Sequence, residues 1–595
     1  MAVTLGPRPK LRSQSGVGLV TLSLLALIVG AVTGVGAAGL RTLIAAIHNG
    51  LFVGKFAWAY DATIPTPASV WGPFVILSPI IGGLVCVYLV RHFAPEAKGH
   101  GVPEVMSAIF YNNGKIRPIV VVIKSLASAL SIGSGASVGR EGPIIQIGSG
   151  IGSTLGQYFK LAKWQTITLV AAGTGAGIAA TFNTPLGAVM FAIELMMPEV
   201  SARTFLPVVI ATGAATYIGR LFFGIAPAFS VPTGVLPDLI FPSEAQFLPV
   251  YVLFGMICGV AAAVFVKLLH WMEDLFDDMP LNPYVKTVLG MGLFGAGTYA
   301  FYLIYGRYFI DGVGYATIQD ILTGDITLTY LMALLFFAKL LATTLSLAAG
   351  ASGGVFSPSL FIGATLGGCF GGVISAIWPL FGIGPVQFAI IGMAAIVGGG
   401  TGAAMTAILM IFEMTGDYAT IVPLIIAVAS AIGTRRVIVE DNIYTMKLAR
   451  RGQHIPKERH SHMFTIRKVY DVMAPVVGIV KVDELREDVH CSAGHKTWSA
   501  GGRFILVEDA KGHLVGIVPV DATGSPVPHA PLIDSFTFIG ADAFIQDLME
   551  RMARHDASVA LVLKDKGVPR AHKIAGVVVR ESITNAIIGE LSDVT

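Results

Sequence analysis

Long apolar runs separated by short polar or glycine-rich breaks fill the chain from residue 16 to residue 452. The runs at 17–47, 75–90, 247–269 and 330–347 are of the order needed to cross a bilayer, roughly 20 apolar residues, and predict membrane-spanning helices. Polar interruptions between such runs are brief, as at 227–244. After residue 452 the pattern changes. Strand-like runs (RFILVED, LVGIVPV, ASVALVLK, IAGVVV) alternate with amphipathic segments such as AFIQDLMERMARH. That alternation predicts an α/β appendage at 453–595 that lies outside the bilayer.

Composition supports the membrane reading. The 595 residues are 54% hydrophobic and 13% charged, against about 25% charged in a soluble domain, which excludes an ordinary globular protein. A net charge of +3 gives no reason to expect a nucleic-acid partner. The placement of basic residues is more informative. Arg8, Lys10 and Arg12 in the 1–15 tail precede the first apolar run, and Arg435, Arg436, Lys447, Arg450, Arg451, Lys457 and Arg459 cluster around the last. The positive-inside tendency then places both ends in the cytoplasm. The first apolar segment is too long for a cleavable signal peptide, and none is expected. Cys86, Cys258, Cys369 and Cys491 stand apart from one another without a CxxC pair, so neither a metal site nor a disulfide framework is expected.

The membrane part, 16–452, repeats itself. An offset of 215 carries Lys124 to Lys339, Gly135 to Gly350, Ser137 to Ser352, Gly139 to Gly354, Pro143 to Pro358 and Gly148 to Gly363. Further on, GTGA at 173–176 recurs at 400–403, and PLGAVMFAIEL around Glu194 matches AMTAILMIFEM around Glu413. Glycines alone could match by chance in so glycine-rich a chain; a lysine, a serine and a proline in one register do not. Two halves, about 16–222 and 245–452, predict a transporter-like fold with its site where the repeats meet.

The repeated loops have a definite chemistry. GASVGREGP at 135–143 and GASGGVFSP at 350–358 are glycine-rich segments that end in proline and lead into apolar runs. Irregular backbone at membrane depth is tolerated only against protein or a water-filled cavity. Proline after such a loop suits the first turn of a helix, whose leading N–H groups have no internal partner. Those donors and the positive helix terminus attract an anion. KGHGVPEV at 98–105 is a third loop of this kind. A carboxylate inside the membrane is costly, which makes Glu141 a functional candidate on physical grounds.

GHGVP, GREGP and GVFSP, in this order and with these separations, resemble the three anion-site signatures of the CLC chloride channel and transporter family. The resemblance covers essentially the whole membrane part and includes a late tyrosine, Tyr444 in NIYTMKLARRG. It implies an α-helical multi-pass protein of two inverted halves with tilted and broken helices, a homodimer in the bilayer with an anion pathway in each subunit. Glu141 would be the gating glutamate. The anion-binding set would comprise Gly99, His100, Gly101, Val102 and Pro103; Gly139, Arg140, Gly142 and Pro143; and Gly354, Val355, Phe356, Ser357 and Pro358. The Tyr444 hydroxyl would donate to an inner anion. Chloride or a similar small anion is then the bound ion, with no cofactor. VYDVMAP at 469–475 and the later helix-plus-GVVVRESI pattern resemble elements of the tandem CBS domains that many family members carry in the cytoplasm.

Three departures matter. The middle residue of GxGxP, serine in chloride-selective members and proline in a nitrate-preferring plant branch, is His100. Its ring either donates to the anion or turns away and leaves a backbone amide to serve. Many exchangers carry a proton-bearing glutamate directly after the residue matched by Glu194, and here that position is Leu195. Leucine carries no proton, so the expected activity is a passive anion channel gated by Glu141, with proton-coupled antiport as the alternative. Glu194 is expected to be structural, because Glu413 occupies the equivalent repeat position. Lys124 and Lys339 are expected either to neutralise Glu194 and Glu413 or to raise the positive potential along the pathway. The nucleotide-holding Gly-x-x-Thr-x-x-Asp pattern of CBS domains is broken in both copies, with Pro519 and Ala522 in GIVPVDA and Val579 and Ser582 in GVVVRES, which argues against adenine-nucleotide binding. A membrane-embedded enzyme using Glu141, His100, Glu194 or Glu413 has no supporting HExxH or similar metal spacing.

Overall fold

The computed structural model describes residues 16–198, 200–231, 247–379, 384–416, 420–453, 455, 468–482, 503–510, 513–520, 533, 535–555, 557–564 and 573–584. Arg8, Lys10, Arg12, Lys457, Arg459, Cys491, Ala522 and most of the 227–244 interruption lie outside the described residues. The chain forms two units, Met1–Gln453 and His454–Thr595.

Among the described residues, eight helices of the first unit are long and apolar enough to cross a membrane, from Leu19–Val53 to Ile421–Ile438. Shorter apolar helices such as Val102–Tyr111, Ile119–Gly133 and Ala404–Thr415 lie between them. At 1.5 Å per residue these fall short of a hydrocarbon core about 30 Å thick. Their boundaries are written in the sequence. Proline occupies the first turn of Val102–Tyr111, Pro185–Phe191, Pro283–Tyr305 and Pro385–Thr401, where its missing N–H removes no intrahelical bond. Ile119–Gly133 and Thr329–Ala348 each end just before a glycine with positive φ, Gly135 at +100° and Gly350 at +101°. These two positions are 215 apart, and only glycine takes that conformation without strain.

Glycine also sets the helix packing. A Cβ on Gly148 would fall on the carbonyl oxygen of Gly173, and one on Gly173 on that of Gly148. The helices Glu141–Tyr158 and Lys163–Phe182 therefore touch backbone to backbone. Gly363 and Gly392 repeat the contact between Phe356–Ile377 and Pro385–Thr401. Lipid tails are as apolar as leucine, so close packing of this kind is what holds membrane helices together.

The two halves exchange carboxylates. Glu194 accepts the N–H groups of Met405 and Thr406 at 3.1 and 2.8 Å and the Thr406 hydroxyl at 2.7 Å, capping the helix Ala404–Thr415. Glu413 accepts the N–H groups of Leu186 and Gly187 at 3.1 and 2.8 Å, capping Pro185–Phe191. The expected pairing of these carboxylates with Lys124 and Lys339 is not formed. The Lys124 ammonium donates to the carbonyls of Ala97 and Gly99 at 3.0 and 2.7 Å. Lys339 donates to those of Ile310 and Gly312 at 3.1 and 3.0 Å. The physical reason is local: buried carbonyls in irregular loops need donors, while the carboxylates already have helix N–H groups.

Among the described residues, the second unit contains a six-stranded sheet formed by β1 (Ala474–Lys481), β2 (Arg503–Glu508), β3 (Leu514–Val520), β4 (Phe536–Gly540), β5 (Val559–Leu563) and β6 (Ile574–Val579), in the order β3-β2-β1-β6-β5-β4. The pairing pattern occurs twice: β1 is parallel to β2 and β2 antiparallel to β3; β4 is parallel to β5 and β5 antiparallel to β6. Ile545, Leu548 and Met552 line one face of the helix Ile545–Arg554 and pack with Ile539, Val562 and Val578 of the sheet. Pro519, Val579 and Ser582 are among the described residues; Ala522 is not.

Candidate functional site

The three proline-ended loops converge. Gly139 and Gly354 form an antiparallel bridge with two reciprocal hydrogen bonds, 2.7 Å from Gly139 N–H to the Gly354 carbonyl and 2.6 Å in return. From this bridge each loop turns at once into a helix, Arg140 leading to Glu141–Tyr158 and Val355 to Phe356–Ile377. The third loop packs against them. A Cβ on Gly101 would lie 2.8 Å from the Gly142 carbonyl oxygen, and one on Gly142 would fall on the His100 carbonyl. Gly99, His100, Gly101, Val102 and Pro103 are thereby placed at the start of Val102–Tyr111, beside Gly139, Arg140, Gly142 and Pro143 and facing Gly354–Pro358.

The Glu141 side chain lies in the middle and is 1% exposed. One carboxylate oxygen accepts the Ser357 N–H at 3.3 Å, and the other accepts the Tyr315 hydroxyl at 2.6 Å. A carboxylate therefore occupies the free N–H end of the opposite half's helix, where the unmatched donors favour negative charge. The Tyr315 hydroxyl is also 2.7 Å from Ser357 Oγ. The ring of Tyr315 is fixed by Phe229, edge to face at 5.5 Å, and by Phe182, which also packs on Phe356. Among the described residues Arg140 makes no ion pair with Glu141; its guanidinium lies over the Tyr315 ring, 5.3 Å from the centroid.

His100 is fully buried, and neither ring nitrogen has a hydrogen-bond partner. Its ring lies 6.1 Å from that of Tyr444, so the ring faces the late tyrosine. Tyr444 is 1% exposed, and its backbone N–H is fixed by the Asn442 side chain at 2.9 Å. Leu195 lies next to Glu194 in a single π-helical turn, Ala192–Met196; Glu194 is engaged as the helix cap at Met405 and Thr406. Sequence reasoning missed Tyr315. The signal was available, since the offset of 215 that pairs Gly139 with Gly354 also carries Gly99 to Gly314 and His100 to Tyr315.

Two matched halves presenting helix starts to one buried point inside a helical membrane unit define a multi-pass anion-transport protein. The family model described as "Voltage gated chloride channel" matches residues 82–436, and the chain belongs to that family. Similar proteins include the H(+)/Cl(-) exchange transporter ClcA of Vibrio parahaemolyticus, 32% identical over 66% of this chain and 84% of that protein. A solved slow cyanobacterial Cl-/H+ antiporter is 26% identical over 73% of this chain and 99% of its own, with a TM-score of 0.63. A eukaryotic CLC transporter, 20% identical with a TM-score of 0.59, shares the fold over 95% of this chain and 98% of its own. These relatives correct the expectation of a passive channel, because the curated relative is an exchange transporter and the cyanobacterial structure an antiporter. A single apolar residue, Leu195, does not separate two mechanisms that share one fold.

Proposed function

We propose that this protein exchanges chloride for protons across a membrane, one pathway per subunit. The observation that carries this reading is the Glu141 carboxylate held by the Ser357 N–H and the Tyr315 hydroxyl at the start of the opposite helix. A chloride ion and this carboxylate compete for one set of donors. Protonating Glu141 removes its charge and weakens the charge-assisted bonds that hold it. The side chain can then leave and an anion can take its place, so proton uptake and anion passage alternate at one point.

The remaining roles follow the same geometry. Backbone N–H groups around Arg140–Glu141 and Val355–Ser357 line the pathway, with Gly99–Pro103 completing its wall. The Tyr444 hydroxyl and the His100 ring face the anion on the far side of Glu141. The His100 ring is buried beside Tyr444 without a protein partner, and an anion would satisfy it. Leu195 carries no proton, so the inward proton reaches Glu141 by water rather than through a carboxylate at that position. The second unit is read as a tandem CBS pair from its doubled strand pattern, and its broken nucleotide motif points to a structural role. A homodimer in a bacterial inner membrane, with both termini in the cytoplasm, completes the reading.

The test is flux from proteoliposomes under a chloride gradient with proton movement recorded at the same time. Chloride-driven proton uptake at a fixed stoichiometry is the expected result. Chloride efflux that needs an ionophore shunt and moves no protons would overturn it. His100→Ser is expected to change the chloride-to-nitrate selectivity ratio by roughly fivefold, one hydrogen bond being worth about 1 kcal/mol. An unchanged ratio in the same assay would assign the anion contact to backbone amides alone.

A further inference from the structure

A second group of cations surrounds a cavity apart from the cradle. Arg41, Ile44, His48, Tyr60, Ile132 and Arg140 are among its lining residues, and its interior holds about one water-sized particle, a single small ion or water. Tyr60 and Ala62 belong also to the wall of a neighbouring cavity that reaches Tyr315, the donor to Glu141. The two cavities thus share a wall, and the neighbouring one reaches the residue that donates to Glu141.

Three features of its lining are unusual for an ordinary packing void. His48 is 1% exposed, and its Nε2 has no partner. The ring is held between Phe52, stacked at 5.2 Å, and Tyr60 at 4.3 Å, and His48 begins a π-helical turn, His48–Val53. Turns of this type are frequent at functional sites. The Nε atom of Arg140 is likewise buried without a partner. Finally, Arg41 lies with its guanidinium 4.2 Å from the Phe223 ring centroid. Among the described residues, neither Arg41 nor Arg140 forms an ion pair. The nearby acids are hydrogen-bonded to threonines, and Asp61 attracts both guanidinium groups only from beyond ion-pair distance. Asp311 lines the neighbouring cavity and accepts the Thr66 hydroxyl at 2.8 Å. Asp61 accepts both the N–H and the hydroxyl of Thr63 at 2.9 and 2.7 Å.

Buried donors without acceptors are costly, and two guanidinium groups facing one cavity repel unless negative charge lies between them. We propose that this cavity is a second binding site for a small inorganic anion, held by Arg41, Arg140 and His48 outside the cradle. It would serve as an antechamber, keeping an anion at hand for the moment Glu141 leaves the cradle. The antechamber role rests on the transport reading above; the binding itself does not.

Bromide provides the probe, since its anomalous scattering separates it from water. Crystals of the full chain grown in bromide are expected to show a peak in this cavity in addition to any in the cradle. Arg41→Gln and His48→Phe should remove the cavity peak while a cradle peak persists. In proteoliposomes, Arg41→Gln should raise the apparent KM for chloride from that side severalfold, with a smaller change in maximal flux. Water alone in the cavity at every bromide concentration overturns the proposal, as does an unchanged KM in the correctly assembled Arg41→Gln protein. A cavity peak in a protein that moves no protons would support this site while rejecting proton coupling, so the two readings fail separately.

Discussion

Proteoliposomes carrying Glu141→Gln are expected to pass chloride while chloride-driven proton uptake falls to background, a loss of at least about tenfold in coupled flux, since an amide has no titrating proton. The amide keeps much of the native contact. Glutamine matches glutamate in length, and its carbonyl can still accept from Tyr315 or Ser357, which hold the native carboxylate at 2.6 and 3.3 Å. What it loses is the charge. Hydrogen bonds to charged groups are worth about 1.5–3 kcal/mol against about 1 for neutral ones. The neutral side chain therefore competes poorly with chloride for the same donors. Chloride binding, measured by titration calorimetry, should tighten by about an order of magnitude, one tenfold step per 1.4 kcal/mol. Proton uptake that persists at the native stoichiometry in this variant would place the coupling proton on another residue.

Gly142→Ala is the second large effect. The new methyl would fall on the carbonyl oxygen of His100, with Gly354 Cα at 3.0 Å on another side. Both obstacles are backbone in loops tied by the Gly139–Gly354 bridge and by Lys124, so neither is a flexible tip that can swing aside. Overpacking costs about 1–3 kcal/mol even where side chains can yield. Here the relief must come from moving the Gly99–Gly101 loop, and the Val102–Tyr111 helix it starts, away from the Glu141 helix. A displacement near 1 Å at a reacting centre can cost about a hundredfold in rate, and flux should fall on that scale. Unaltered chloride flux in this variant, at equal amounts of assembled protein, would show that the Gly99–Gly101 loop is not part of the cradle.

Much of this arrangement is legible in the sequence. Helix starts at Gly101–Pro103, Gly139–Pro143 and Gly354–Pro358 follow from glycine, proline and a change to apolar residues, all local signals. The offset of 215 then brought Gly139 and Gly354 together, since a repeat translates sequence register into spatial equivalence. Contacts set by tertiary fit were harder to see. Nothing local to Lys124 says that its ammonium serves the carbonyls of Ala97 and Gly99 rather than a carboxylate. Tyr315 carries no motif of its own, and its contact with Glu141 spans 174 positions. Exchangers and channels share this fold, and a single residue such as Leu195 does not tell them apart.

The traded caps of Glu194 and Glu413 have a further consequence. When residue i of one body contacts residue j of another and j returns the contact to i, the interface is isologous and a two-fold axis relates the bodies. Glu194 on Met405–Thr406 and Glu413 on Leu186–Gly187 have this form inside a single chain, and so does the Gly139–Gly354 bridge. Each half thus carries both sides of the joint that holds it to the other. A duplicated ancestor of half the length would already have been self-complementary, pairing with a second copy of itself through the surface that is now the middle of one molecule. The two halves differ at the centre of that joint: Glu141 begins one helix, and Phe356 stands at the matching position of the other.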